Sequence, residues 1–577
     1  MLLKAISEVI EELHLPAVSF SIEHTNDFRH GDLSANVAFI VAKEVKKNPR
    51  DVAEMIVREL REKSIEGVEK IETAGPGFIN FYLSDSFFRK SIGKIISLKD
   101  SFGIGDFYKG KKIMVEHTDP NPFKEFHIGH FMTNTIGTTI SRLYEWGGAE
   151  VRQANYQGDV GLHVACAVWA MKYRLKKLPS EDGSKRSKAA YLAEAYVIGR
   201  KCYDKTDFWG LLFGGPTKYE VREQINEINK KIYDRSDEEI NRLYDIGKKW
   251  SLDYFEIIYA RLGSKFDFYF FESVAGKLGL ELVRKNISNG IFEKSSGAIV
   301  FRGEKHALHT RVFINKEGLP TYESKELALP SIKYEVYPYD MSVVVTGNEV
   351  NDYFQVLMKV LGEVRPDLRE KTFHVGHGML RLPSGKMSSR TGDIITAESL
   401  IEDVSKVVGL KMKDVVVSQK EREEIIEIVS IGALKFSILR QAVGKDIIFD
   451  FDKSLSLEGD SGPYLQYTAV RARSLLDKAK GLGKISQVGS LYQKISPVER
   501  TLYRFPFVLE RASKEHAPQL IVTYLLELAA AFNAYYSQNK IIDDSPESSY
   551  RLALTEAAEI VIRNGMSVLG IRVPNKM

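Results

Sequence analysis

The chain has 577 residues, 44% of them hydrophobic, 27% charged and 11% aromatic, the proportions of an ordinary globular protein and not of a disordered or fibrous one. Lys plus Arg number 81 against 77 Asp plus Glu, a net charge of +4, so composition neither demands nor excludes a nucleic-acid partner. The cysteines, Cys166 and Cys202, rule out a disulfide framework and a cysteine-rich zinc site and suit the cytoplasm; no apolar run reaches the roughly 18 residues of a membrane span.

In chain order, Leu3, Ile6, Val9, Ile10 and Leu13 repeat at helical spacing, and Glu8, Glu11 and Glu12 argue against a leader peptide. A second helix is predicted from Arg50 to Lys63, just after Pro49, and a strand at GFINFYLS, so residues 1–105 read as a small α+β domain. From Lys111 the pattern becomes strand (KKIMVEHT), loop (DPNPFKEF), helix (about 128–147), strand (GAEVRQANY) and helix (160–177). That is a βαβ unit, which implies a parallel sheet with a right-handed crossover. Residues from about 179 to 296 are helical and charge-rich, and read as an insertion. Alternation returns with GAIVFRG, a helix after Pro320, MSVVVTG, a helix at 351–361 and KTFHVGHGMLRL. From Ala397 onward long amphipathic helices dominate. The expected architecture is multidomain α/β: a Rossmann-type parallel-sheet catalytic domain over 106–400 with a helical insertion, and an all-α bundle over 401–577.

Two constellations carry chemistry. HIGH, His127 to His130, follows a strand and opens a helix. Ligands of open α/β sheets bind beyond the carboxyl ends of strands at such helix starts. Two imidazoles there can donate to triphosphate oxygens, and Gly129 lets a flat base approach. A second HxGH, at His374, Gly376 and His377, lies inside an alternating strand with no helix behind it and reads as structural. KMSSR, Lys386 to Arg390, lies in a glycine-flanked turn suited to clamping phosphates while charge develops on them.

These motifs resemble those of class I aminoacyl-tRNA synthetases. More closely the chain is similar to the arginyl-tRNA synthetase family over nearly its whole length, through HGDLSANVAF, AGPGFINFYL, VEHTDPNPFKEFHIGH, GKMSSRTG, EGDSGPYLQYTAVRAR, LAAAFNAYY and the closing RLALTEAAEIVIRNGMSVLGI with terminal Met577. The resemblance implies that ATP, with its Mg²⁺, binds at His127, Gly129, His130, Lys386, Met387, Ser388 and Ser389. It implies arginine binding by Glu116, Asn121, Tyr322, Glu326 and Gln355. Ser389 stands where the family's loop motif has a second lysine, and Lys124 is expected to supply that phosphate contact beside His127, His130 and Lys386. Glu326 stands where the family has an aspartate. Contacts with tRNA(Arg) are implied for Asn36, Phe78 and Asn80 in the first domain, where the family meets the D-arm.

In the helical domain, aromatics and amides that could stack on and read unpaired bases gather at Tyr464, Gln466, Tyr467, Phe532, Asn533, Tyr535 and Tyr536, and Met577 joins them by resemblance. Aromatics at helical spacing are also the commonest core residues. The expected protein is a cytoplasmic monomer without protein-bound zinc or an editing site, its insertion architectural or a guide for the tRNA acceptor end. Two rivals remain at this point: a tRNA-independent HxGH nucleotidyltransferase, which would lack the large terminal domains, and a non-catalytic synthetase-like tRNA-binding paralogue, which would carry damaged motifs.

Overall fold

A computed structural model describes residues 2–25, 27–175, 177–204, 218–381, 395–413, 416–489 and 494–577. By contacts the chain forms two compact units: Met1–Phe102 with Thr468–Pro506 and Leu525–Asn564, and Gly103–Tyr467 with Phe507–Tyr524 and Gly565–Met577.

In the first unit, strands β1 (Ile22–His24), β2 (Leu33–Ala35), β3 (Val68–Ala74) and β4 (Phe78–Leu83) form an antiparallel sheet in the order β1-β2-β4-β3. The amphipathic helices Leu2–Glu12 and Pro49–Glu62 bury Ile6, Val9, Ile56 and Leu60 with Ile79 and Phe81 of β4. The second helix begins at Pro49, and the Asn48 side chain accepts the Arg50 N–H as its cap. Only β4 is visible in the hydrophobic pattern. The others are three residues long or, like β3, mostly half-buried without alternation.

The second unit is built on a five-stranded, all-parallel sheet. Its strands are β5 (Lys112–Glu116), β6 (Glu150–Gln157), β7 (Phe268–Phe271), β11 (Met341–Gly347) and β12 (Thr372–His377), ordered β12-β11-β5-β6-β7. Winding reverses between β5 and β11, so the crevice beyond their carboxyl ends is where a ligand of a doubly wound sheet sits. Two expectations need correction. The insertion does not run to about 296, because β7 lies within that stretch and is the sheet's edge strand; four aromatic residues at an edge carry no long buried run to betray them. Conversely GAIVFRG is not in the parallel sheet. It forms β9 (Ala298–Phe301), the centre of a separate antiparallel sheet between β8 (Glu293–Ser295) and β10 (Arg311–Ile314). The segment read as one strand after Lys371 also breaks, β12 ending at His377 and β13 (Leu380–Arg381) pairing with β14 (Ile447–Ile448).

The helical insertion has its own core. Leu192 and Ala195 of helix Lys185–Asp204, Ile225 and Ile228 of Lys218–Asp234, and Leu243 of Glu238–Leu262 close over Val164, Val168 and Trp169 of the helix that follows β6. Asp159, fully buried after β6, ties this layer down: it accepts from Tyr244 Oη at 2.8 Å, Lys248 Nζ at 2.7 Å, Ser273 N at 2.9 Å and Ser273 Oγ at 2.7 Å.

Candidate active site

His127 ends the loop after β5 and is the N-cap of helix Ile128–Trp146. Its Nδ1 accepts the Gly129 N–H at 3.1 Å, and His130 Nδ1 accepts the His127 N–H at 3.3 Å. The two imidazoles stack with centroids 3.7 Å apart. Because each Nδ1 is an acceptor, each neutral ring carries its proton on Nε2. Burial, and for His130 the neighbouring His127, pushes both pKa values down, so the rings remain neutral donors. Lys124 lies close enough to contribute to both shifts. Burial, followed by Arg200, lowers its own pKa.

The loop is held under tension. Thr118, Asp119 and Phe123 adopt left-handed backbone with φ of 81°, 43° and 67°, conformations that cost non-glycine residues on the order of 1–3 kcal/mol each and persist only where surroundings impose them. Asp119 Oδ1 accepts the Tyr156 N–H at 2.7 Å, and Phe123, buried in the insertion core, donates its N–H to Ser251 Oγ at 2.9 Å.

Beyond the same strand ends lies an acidic recess. Glu116 is buried against Lys333, Oε2 to Nζ at 3.0 Å, and Glu272 against Lys325 at 2.6 Å. Asp119 and Glu326 complete it, and their carboxyl pKa values are raised well above the ordinary range by burial and then by Glu116. The charges facing Glu326 are Glu116, Asp119, Glu272 and Lys333. Four carboxyl groups thus meet two lysines, and a cationic guest would draw into the ionised form the two that the lysines leave unpaired. Asn121 packs beside Glu272 on Gly158, where a β-carbon would overlap its Oδ1. Tyr322 keeps 44% of its surface open, and its ring lies 5.2 Å from that of Tyr353. The hydroxyls of Tyr156 and Tyr353 are buried without a hydrogen-bond partner among the described residues, and both lie within electrostatic reach of Glu326 and Glu272.

The structure therefore brings Glu116, Asn121, Tyr322 and Glu326 together, with His127, His130 and Lys124 next along the same loop. Gln355 is exposed on helix Asn351–Val364, about 200° round from buried Tyr353. Asp119, Tyr156, Glu272, Lys325, Lys333 and Tyr353 join the recess without a sequence motif to mark them. One signal was available: Glu326 and Lys333 are seven residues apart, on one face of helix Tyr322–Val336. Lys386, Met387, Ser388 and Ser389 lie outside the described residues, but the flanks of their segment do not. Ile395 O accepts the Ile128 N–H at 3.1 Å and Ala397 donates its N–H to Phe126 O at 2.9 Å, on either side of His127. The second HxGH is an internal brace: His374 stacks on Phe354 and meets Thr346 Oγ1 at 2.7 Å, and His377 Nε2 meets Thr133 Oγ1 on the first motif's helix at 2.7 Å.

Burial corrects part of the expected tRNA surface. Phe532 is fully buried against Ala472 and Ala558. Gln466, also fully buried, donates to Arg572 O at 2.8 Å. Asn80, 4% exposed, accepts from Ser34 Oγ within the sheet. These three are core residues. Asn36 is half-buried and accepts the Ser21 N–H at 2.9 Å. Phe78 is exposed, edge-on to Phe39. Tyr464, Tyr467, Tyr536 and Met577 are half-buried, Tyr535 is buried, and Asn533 Oδ1 accepts from Arg471 Nη1 at 3.0 Å.

Comparison with known proteins agrees with this geometry. Residues 93–451 match the family described as tRNA synthetases class I (R), catalytic domain; 465–577 match the DALR anticodon binding domain and 1–83 the arginyl tRNA synthetase N terminal domain. The arginine–tRNA ligase of Clostridium acetobutylicum is 29% identical over 547 residues, covering 93% of each chain. That of Halothermothrix orenii is 28% identical, covering 100% of this chain and 99% of its own. The Thermus thermophilus arginyl-tRNA synthetase structure superposes with a TM-score of 0.77 at 22% identity, over 100% of this chain and 99% of that one, which establishes the shared fold. The histidine pair at the winding reversal, the acidic recess beside it and the match over 93–451 converge: this chain belongs to the class I tRNA synthetases of the arginyl (R) family.

Proposed function

We propose that the chain activates L-arginine with ATP and transfers it to tRNA(Arg), acting in the cytoplasm as a monomer. The observation that carries the substrate assignment is the surplus of carboxyl groups in a recess whose loop runs directly into the His127–His130 donors. A guanidinium with five fixed N–H donors suits Glu326 together with the hydroxyls of Tyr322, Tyr156 and Tyr353. Glu116 and Asn121, nearer the strand end, suit the α-ammonium. An oxygen of the arginine carboxylate attacks the α-phosphorus of ATP, the bond to the bridging oxygen breaks, and pyrophosphate leaves. The 3′-terminal ribose hydroxyl of tRNA then attacks the carbonyl of the adenylate and AMP departs.

No protein nucleophile is required. His127 and His130 contribute neutral Nε2–H donors, and Lys124 and Lys386 positive charge, aimed at oxygens that gain charge in the transition state. Ile395 is nine residues beyond Lys386, a tether of at most roughly 30 Å from the first motif. Mg²⁺ is expected to arrive with ATP, as this hard cation is usually held by substrate phosphates and waters. The N- and C-terminal matches speak against a small nucleotidyltransferase.

ATP–pyrophosphate exchange with each amino acid, with and without tRNA, tests the reading. Exchange is expected with arginine alone and only when tRNA is present; exchange with another amino acid would refute the substrate assignment. Lys124→Ala is expected to slow adenylate formation about 10²-fold or more, by analogy with loss of one oxyanion donor. A near-normal rate would remove Lys124 from the mechanism.

The pH dependence has a definite sign. A bound cation favours ionised carboxylates, so arginine binding releases protons from Asp119 and Glu326, whose pKa values burial raises in the empty recess. Arginine affinity is expected to climb as pH rises through those raised values, above the ordinary carboxylate range of about 4. Calorimetry in buffers of different ionisation enthalpy would register the released protons. Proton uptake on binding would contradict this account.

A further inference from the structure

The insertion meets the reaction machinery at several points among the described residues, Phe123 on Ser251 and Lys325 over the Tyr233 ring among them, and Lys124 is another. Lys124 Nζ lies 5.3 Å from the ring centroid of Tyr196, which projects from insertion helix Lys185–Asp204. Tyr196 packs against the insertion core, one turn before Gly199. At Gly199 the helix approaches the chain after β6 so closely that a β-carbon would overlap the Cys166 carbonyl. The ring is therefore held by a backbone-to-backbone crossing. The charged and titratable groups around Lys124 are Arg200, Glu272 and Cys166, with His127, His130 and His163 on its other neighbours.

We propose that Tyr196 is a positioning residue for adenylate formation: its ring face holds the Lys124 ammonium beside the His127–His130 donors, and so gives the helical insertion a part in phosphate binding. A carboxylate partner would hold the lysine equally well but would occupy its N–H donors and offset its charge. An aromatic face attracts the cation through its quadrupole and leaves all three donors for phosphate oxygens. It also restricts a side chain that otherwise loses much rotamer freedom on binding. The inference rests on the reading of Lys124 as a phosphate contact.

The test compares Tyr196→Leu, Tyr196→Phe, Lys124→Ala and Lys124→Ala/Tyr196→Leu in arginine- and tRNA-dependent ATP–pyrophosphate exchange, with kcat and the KM for ATP determined separately. Tyr196→Leu is expected to lower kcat/KM for ATP about 5- to 30-fold, the range of a partly desolvated cation–π contact, with the KM for arginine unchanged. Tyr196→Phe keeps the ring and is expected to stay within about twofold of the parent. In the Lys124→Ala background Tyr196→Leu should cost nothing further. Tyr196→Met replaces the leucine variant if its melting curve departs from the parent's. Full activity in Tyr196→Leu, or an equal loss in the presence and absence of Lys124, would overturn the proposal. Lys124→Ala with parental activity would instead withdraw the role of Lys124 itself, and the positioning with it.

Discussion

Glu326→Gln is expected to lower kcat/KM for arginine by roughly 10²–10³-fold, the cost of removing one member of a buried, hydrogen-bonded charge pair, while KM for ATP changes little. The substitution keeps the shape and deletes the charge. In the empty protein that deletion is mild, because the Glu326 carboxyl already sits among Glu116, Asp119 and Glu272 and is held neutral more easily than an exposed acid. With a guanidinium present the balance reverses: the amide presents N–H groups to a ligand that can only donate. Thermal stability of the variant should therefore match or exceed the parent's while activation of arginine collapses. Steady-state exchange kinetics and a melting curve on the same preparation decide the matter; an unchanged KM and kcat for arginine would remove Glu326 from the site.

The second large effect is structural. Lys333 and Glu116 are 1% and 2% exposed at their side chains and 3.0 Å apart. Lys333→Met strands the Glu116 carboxylate in the interior, a change that typically costs about 3–5 kcal/mol. The urea midpoint of the second unit should fall accordingly. Lys333→Met with Glu116→Gln should recover much of that loss, since two groups of similar volume without charge can replace a buried pair at little cost. Activity should not return with stability, because Glu116 also faces the substrate. A Lys333→Met variant as stable as the parent would show that the pair is solvated in a way its burial does not suggest.

The parts of the site legible in sequence are those written contiguously. HIGH, the loop before it and the strand behind it fall within twenty residues, and the strand-to-helix switch at Ile128 marks the cap directly. The recess was only half legible, since Tyr156, Glu272 and Tyr353 arrive from three separate elements, and a buried lysine such as Lys325 or Lys333 looks like any solvated helix charge until the fold buries it. β7 is hidden in the sequence because an edge strand of four residues has no room for a pattern. That Phe532 and Gln466 lie in the core is something sequence cannot show, for the converse reason: an aromatic or an amide on a helix has the same letter whether it faces a base or the core.

Phe123 carries a consequence for protein engineering. It stands in left-handed backbone one residue before Lys124, and its ring and N–H are both secured by the insertion. A chimaera that transplanted the catalytic loop into a relative with a different insertion would thus receive the motif without its mould, and the strained turn would relax. Loop and insertion form one heritable module, to be exchanged together or left alone.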